Sequence, residues 1–107
     1  LDIIEVMEAF LERSRPPEHI RPQLDIGYKI EGKSVIIHEI RPFSGDPSRI
    51  IYPAVAKATF VKAKNHWKVF WLRASLKWDP YLPKPTVKTL EDFVYLVDED
   101  KHGCFWG

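Results

Sequence analysis

Residues 47–78 combine positive charge with aromatic side chains. The segment contains seven bases and no acid, although the whole chain has 15 acids in 107 residues. Cations attract phosphate groups and release their counterions, and aromatic rings stack on unpaired bases. The pattern predicts a nucleic-acid-binding surface formed by Lys57, Lys62, Lys64, Lys68, Arg73, Lys77 and Trp78. A plain alternative stays open, because tryptophans on central strands often belong to the core and lysines often only solubilise a sheet.

Two carboxylates on either side of a predicted tight turn suggest a second kind of chemistry. Asp25, Glu39 and the nearby Arg41 resemble the layout of PD-(D/E)XK nucleases, in which two acids hold Mg²⁺ and a lysine orients water. Arginine stays protonated and cannot act as a base, so the resemblance implies at most a degenerate site. Ion pairs of Asp25 or Glu39 with Arg41 or Arg21 explain the same residues without catalysis.

The charge of the chain is divided into three blocks. Residues 1–46 have a formal net charge of −3, residues 47–78 of +7 and residues 79–107 of −3, which gives +1 for the whole chain. This division excludes a uniformly cationic protein and leaves a local cationic surface open. Alternating blocks also suit a protein-interaction module, with a homodimer as the simplest case.

Little else in the sequence points to catalysis. Asp98, Asp100, His102 and Cys104 are spaced too loosely for a structural zinc site, and we find no glycine-rich phosphate loop. We therefore expect no metal and no cofactor, and we favour a binding module over an enzyme. The single cysteine excludes an internal disulfide and suits the cytoplasm. No apolar run approaches about 18 residues, so no membrane partner is expected.

The elements that would carry these residues follow from periodicity. Apolar spacing predicts an amphipathic helix over residues 2–13, with Asp2 as its N-cap, and a second helix over residues 90–98, with Thr89 as its N-cap. Residues 42–48 are expected to form a loop, and residues 80–85 an extended, polyproline-like segment. Alternation and turn signals predict four strands, over residues 24–30, 34–41, 54–62 and 67–74.

These elements predict one α+β domain over residues 1–107. Two consecutive hairpins form a four-stranded antiparallel sheet, and an N-terminal and a C-terminal helix flank it. In the last strand, Trp67, Val69 and Trp71 share one face of the sheet, and Phe70 and Leu72 share the other.

Short motifs also occur in a characteristic order. These are Arg15-Pro16-Pro17, Asp25-Ile26-Gly27-Tyr28, Glu39-Ile40-Arg41-Pro42, Ala56-Lys57-Ala58-Thr59, Trp71-Leu72-Arg73-Ala74, Leu76-Lys77-Trp78 and Gly103-Cys104-Phe105-Trp106-Gly107. With these motifs the chain, from about residue 13 to the end, resembles the bacterial domain of unknown function 3024 family. The resemblance implies a small stand-alone bacterial domain, and it implies no activity.

Overall fold

Two helices lie at the ends of the chain, as the periodicity predicts. The structure, a computed structural model, describes residues 3–106, so the predicted N-cap Asp2 lies outside the described residues. Helix α1 spans Ile3–Ser14 and helix α2 spans Leu90–Glu99. The predicted cap of α2 is confirmed, because the Thr89 hydroxyl accepts a hydrogen bond from the backbone N–H of Asp92 at 3.1 Å.

Within residues 3–106, the sheet has seven strands rather than four. The predicted α+β class and antiparallel pairing are confirmed, and the strand count is corrected. All pairings are antiparallel, in the order β1-β2-β4-β5-β6, and β3 and β7 add to β2 and β5 respectively. The strands are β1 (Asp25–Glu31), β2 (Ser34–Phe43), β3 (Asp46–Ile51), β4 (Ala54–Val61), β5 (His66–Leu72), β6 (Trp78–Pro80) and β7 (Thr86–Val87).

The loop predicted over residues 42–48 is wrong. Strand β2 continues to Phe43, and β3 begins at Asp46, so only two residues form the turn between them. Three prolines in and near this segment suggested a loop. Proline is compatible with a strand that lacks a neighbour on one side, because its missing N–H then breaks no ladder. The pairing of Arg41 with Ile51 and of Pro42 with Ile50 makes β2 and β3 a two-stranded hairpin.

The extended segment predicted over residues 80–85 is also corrected. Its two ends fold back onto β5 as β6 and β7, with Pro80 opposite Phe70 and Thr86 opposite Lys68. Backbone hydrogen bonds of 2.9 Å join Tyr81 N–H to Val69 O and Val69 N–H to Pro85 O. The prolines therefore shape a short connection between two edge strands instead of a polyproline helix.

Both helices pack on the same face of the sheet. The apolar core joins Met7 and Phe10 of α1 and Phe93 and Val97 of α2 to inward-facing strand residues such as Ile37. Successive side chains of a strand point to opposite faces of the sheet, so the side chains between these core positions project from the face that the helices do not cover. Among the described residues, no helix has the length and apolar character that a membrane crossing requires.

Candidate nucleic-acid interface

We call the face of the sheet on which neither helix packs the open face. Its residues alternate with the core residues Val35, Ala58 and Val69, and the register of neighbouring strands aligns them in rows. Ile36 is buried there, apart from the main core, between strands that carry polar side chains. The open face is lined by Ser34, Ile36, His38, Lys57, Thr59, Lys68, Phe70, Leu72, Trp78 and Thr86.

Lys57 lies at the centre of the open face, between two aromatic rings. Its Nζ is 4.9 Å from the ring centroid of Phe70 and 4.9 Å from that of Trp78. The register explains this arrangement, because Phe70 is directly opposite Lys57 and Trp78 is opposite Leu72, two residues further along β5. An ammonium within about 6 Å of an aromatic centroid is attracted by the ring. The two rings therefore hold one positive charge in place, and all three side chains are half-buried on the open face.

Lys68 lies in a neighbouring row of hydroxyl-bearing residues. It is opposite Thr59 on β4 and opposite Thr86 on β7, and Thr59 is itself opposite Ser34. The hydroxyls of Ser34 and Thr59 are 2.8 Å apart and share a hydrogen bond. This row offers one exposed cation flanked by polar groups, which is the composition that a phosphate and sugar backbone can contact.

The remaining lysines and arginines of the predicted set lie at the two ends of β5. Lys62 and Lys64 are exposed in a 3-10 helix that connects β4 to β5, and Asn65 closes it in the left-handed conformation at φ 50°. Arg73 and Lys77 are exposed between β5 and β6, where Arg73 N–H bonds to Lys77 O at 3.0 Å. The seven residues of β5 separate these ends by roughly 20 Å. Together with Lys57 and Lys68, these residues form a basic stripe that follows β5 from one end to the other.

Most of this basic stripe has no acidic partner among the described residues. Among residues 3–106, Arg73 is the one member of the predicted set with an ion pair, to Asp79 at 3.7 Å. By strand alternation, Asp25 and Glu31 are the acids on the open side of β1, two strands away from β4. Arg15 and Lys29 neutralise them at 2.6 and 3.0 Å. The stripe therefore keeps most of its positive charge uncompensated.

The aromatic residues of the basic segment divide between the two faces. Trp67 is buried in the core and packs against Phe60, with ring centroids 5.1 Å apart. Trp71 is half-buried on the same side. Trp78, which the sequence predicts at the surface, lies on the open face. Phe70 also lies there, beside Lys57, although it is not in the predicted set. The signal for Phe70 was its position on β5 between Val69 and Trp71, which face the core.

The two carboxylates of the nuclease-like hypothesis do not converge. Asp25 is opposite Ile40 and Glu39 is opposite Ile26, so their side chains leave opposite faces of the sheet. Each has its own arginine, with Arg15 bound to Asp25 and the Nε of Arg41 at 3.1 Å from Glu39. Within residues 3–106, no group of three metal-ligating side chains lies close enough to hold an ion. The two-acid arrangement that this hypothesis requires is therefore not formed.

The C-terminal tail is held by hydrogen bonds. Asp100 ends α2 in the left-handed conformation at φ 41°, and its carboxylate accepts hydrogen bonds from the N–H groups of Phe105 at 3.1 Å and Trp106 at 2.9 Å. The Trp106 indole donates to Val97 O at 2.9 Å. Burial, with a smaller contribution from Asp100, raises the pKa of the Cys104 thiol, so that this thiol is less ionised than a free one. The tail motif acts as a structural clamp.

A further pair of rings lies on the open side, and it joins Tyr52, an aromatic residue of the basic segment, to His38, a contact that the sequence does not predict. His38 and Tyr52 form an edge-to-face contact with ring centroids 5.7 Å apart. The His38 ring lies against Gly27, where a Cβ would be 2.9 Å from His38 Cε1. Gly27 therefore provides room for the ring. The available signal was the alternation of His38 with Ile36 and Ile40, together with a glycine on the neighbouring strand.

Comparison with known proteins agrees with the resemblance seen in the sequence. The model of a family described as a domain of unknown function, DUF3024, matches residues 2–107. The match therefore extends further toward the N-terminus than the motifs indicated, and it includes α1. No curated protein and no solved structure matches the chain.

Proposed function

We propose that this chain, which belongs to the DUF3024 family, is a nucleic-acid-binding module whose site is the open face of the sheet. The observation that carries the proposal is the position of Lys57 between Phe70 and Trp78, on the face that neither helix covers. A cation and two aromatic rings, half-buried on one face, match the two chemical components of a nucleic acid, its phosphates and its bases.

Electrostatics supports the proposal through the position of the charges. Lys57 and Lys68 are on the open face, and Lys62, Lys64 and Lys77 extend the stripe toward its two ends. None of these five lysines forms an ion pair within residues 3–106. Binding a phosphate backbone along this stripe releases counterions, which makes the affinity depend on salt concentration. The near-neutral charge of the whole chain does not oppose this, because the acids lie elsewhere.

The experiment compares charge reversal on the open face, at the half-buried Lys57 and the exposed Lys68, with charge reversal at Lys101 in the tail. Fluorescence anisotropy of a labelled oligonucleotide measures the dissociation constant for the wild type, Lys57→Glu/Lys68→Glu and Lys101→Glu. Lys101 is exposed in the tail after α2, so its reversal changes the net charge without changing the open face. We expect the double reversal to weaken binding at least about tenfold, and Lys101→Glu to weaken it much less. Equal effects of the two variants would contradict a site on the open face.

A second candidate function is self-association through the hairpin formed by β2 and β3. Phe43 and Ile50 expose apolar side chains there, and the hairpin continues beyond His38 and Ile40, the last residues of β2 that pair with β4 and β1. Exposed apolar strands are common sites of pairing with another chain. Sedimentation velocity at micromolar concentration tests this. We expect the wild type to be a dimer and the Ile50→Lys variant to be a monomer. A monomer at all concentrations contradicts it.

As part of the same proposal, we place the module in the cytoplasm. A protein with one free thiol suits a reducing compartment, and Cys104 forms no disulfide within the described residues.

A further inference from the structure

We infer that the nucleic acid bound by the open face is single-stranded, and that Tyr52 and His38 form a second stacking position for its bases. This inference rests on the proposed function and deepens it. The first stacking position is the pair of rings around Lys57, formed by Phe70 and Trp78.

The second position is accessible and is built by neighbouring elements. Tyr52 is 62% exposed in the connection between β3 and β4, yet its ring is held against His38 in a T-shaped contact with an interplanar angle of 87°. His38 is in turn placed by its contact with Gly27 and by a 3.0 Å hydrogen bond between Nδ1 and the backbone O of Glu39. An exposed aromatic ring that is oriented by its neighbours provides a surface on which a base can stack.

The two positions are separated by the width of several strands. His38 is on β2 and Trp78 is on β6, so β4 and β5 lie between them. Three strand spacings correspond to about 14 Å. Bases stacked as in one duplex strand cover that distance in about four nucleotides, at 3.4 Å each. Lys57 belongs to the first position, where it can neutralise a phosphate of the backbone that leads to the second position.

A duplex fits this face less well than a single strand. The faces of its bases are covered by neighbouring base pairs, so the rings at Tyr52 and Trp78 have nothing to stack on. Unpaired bases of DNA and of RNA both offer these faces. The open face can therefore contact either polymer in the same two ways, by aromatic stacking on its bases and by contacts with its phosphates.

The experiment uses anisotropy with labelled ten-nucleotide strands of deoxythymidine and of uridine, and with a ten-base-pair DNA duplex. Wild-type protein is compared with Tyr52→Ala and with Tyr95→Ala. Tyr95 is the matched control, because it is 61% exposed but lies on α2, on the other side of the sheet. Circular dichroism checks that both variants remain folded. The two single strands show whether DNA or RNA is preferred.

We expect both single strands to bind more tightly than the duplex. Tyr52→Ala is expected to weaken single-strand binding by about fivefold or more, whereas Tyr95→Ala leaves it unchanged. Duplex binding as tight as single-strand binding, or equal affinities of the two variants, would overturn this inference and leave the proposed function standing. Failure of the wild type to bind any of the three probes would overturn the proposed function itself.

Discussion

The guanidinium of Arg15 donates two hydrogen bonds to the carboxylate of Asp25, from Nε at 3.0 Å and from Nη2 at 2.6 Å. The same carboxylate accepts the backbone N–H of Ile26 at 2.8 Å. This arrangement ties the segment after α1 to the first residue of the sheet. It also gives a structural role to two of the short sequence motifs, Arg15-Pro16-Pro17 and Asp25-Ile26-Gly27-Tyr28.

Asp25→Asn is expected to lower the free energy of unfolding by about 1–3 kcal/mol at pH 7, because a hydrogen-bonded charge pair loses its anion. Urea denaturation measures the change, and Glu31→Gln, at an exposed pair, is the control. Arg15, and to a lesser degree the Ile26 N–H, lower the pKa of Asp25 in the folded state. The contribution is therefore complete above the ordinary pKa of an aspartate and is lost as the pH falls through the lower folded pKa. A stability difference that does not shrink in acid would contradict this account.

Asp100→Ala is expected to destabilise the protein by about 2 kcal/mol or more. Alanine removes both acceptors for the tail and is disfavoured at φ 41°. Asp100→Asn should fall in between, because asparagine tolerates the left-handed conformation and keeps one acceptor oxygen. Thermal unfolding measures both, with Glu99→Ala as the control at the preceding position. Equal midpoints for Asp100→Ala and Glu99→Ala would show that the clamp does not stabilise the fold.

Lys57→Gln is expected to reduce the slope of log affinity against log salt by about one, because one fewer counterion is released on binding. Anisotropy titrations at several salt concentrations give the slope for this variant, for the wild type and for Lys101→Gln. The Lys101→Gln slope should match the wild type. If Lys57→Gln also matched it, Lys57 would have no role in phosphate binding.

The Cys104 thiol is expected to react slowly with iodoacetamide at pH 7, since burial raises its pKa and leaves less of the reactive thiolate. Unfolding in urea should increase the rate several-fold, and the unfolded chain is the internal reference. Cys104→Ser should bind oligonucleotides as the wild type does, because Cys104 packs against the core and not on the open face. Rapid alkylation of the folded protein would contradict the structural assignment.

Much of the fold could be predicted from the sequence because periodicity reports burial. The helices around Phe10 and Phe93, and the hairpin from β4 to β5, have clear apolar periods. Strands β3, β6 and β7 are short or contain proline, and tertiary pairing holds them in place. Each is too short, or is interrupted by proline, for an alternating pattern to show, so a local pattern could not reveal them.

The candidate site could be predicted in part for a related reason. Composition located the basic segment, but only the register shows that Lys57 reaches both Phe70 and Trp78. The same register separates Asp25 from Glu39, which are on adjacent strands but one residue out of phase. A shift of one residue moves a side chain to the other face, so sequence spacing alone does not decide which groups meet.

The most direct test of the proposed site is an NMR titration of the ¹⁵N-labelled protein with the ten-nucleotide deoxythymidine strand at low salt. We predict that amide signals of Lys57, Lys68 and Phe70 and the indole signal of Trp78 shift with the bound fraction. Signals of the exposed sides of α1 and α2 should stay in place. Shifts confined to the helices, or no shifts at saturating oligonucleotide, would contradict the assignment of nucleic-acid binding to the open face.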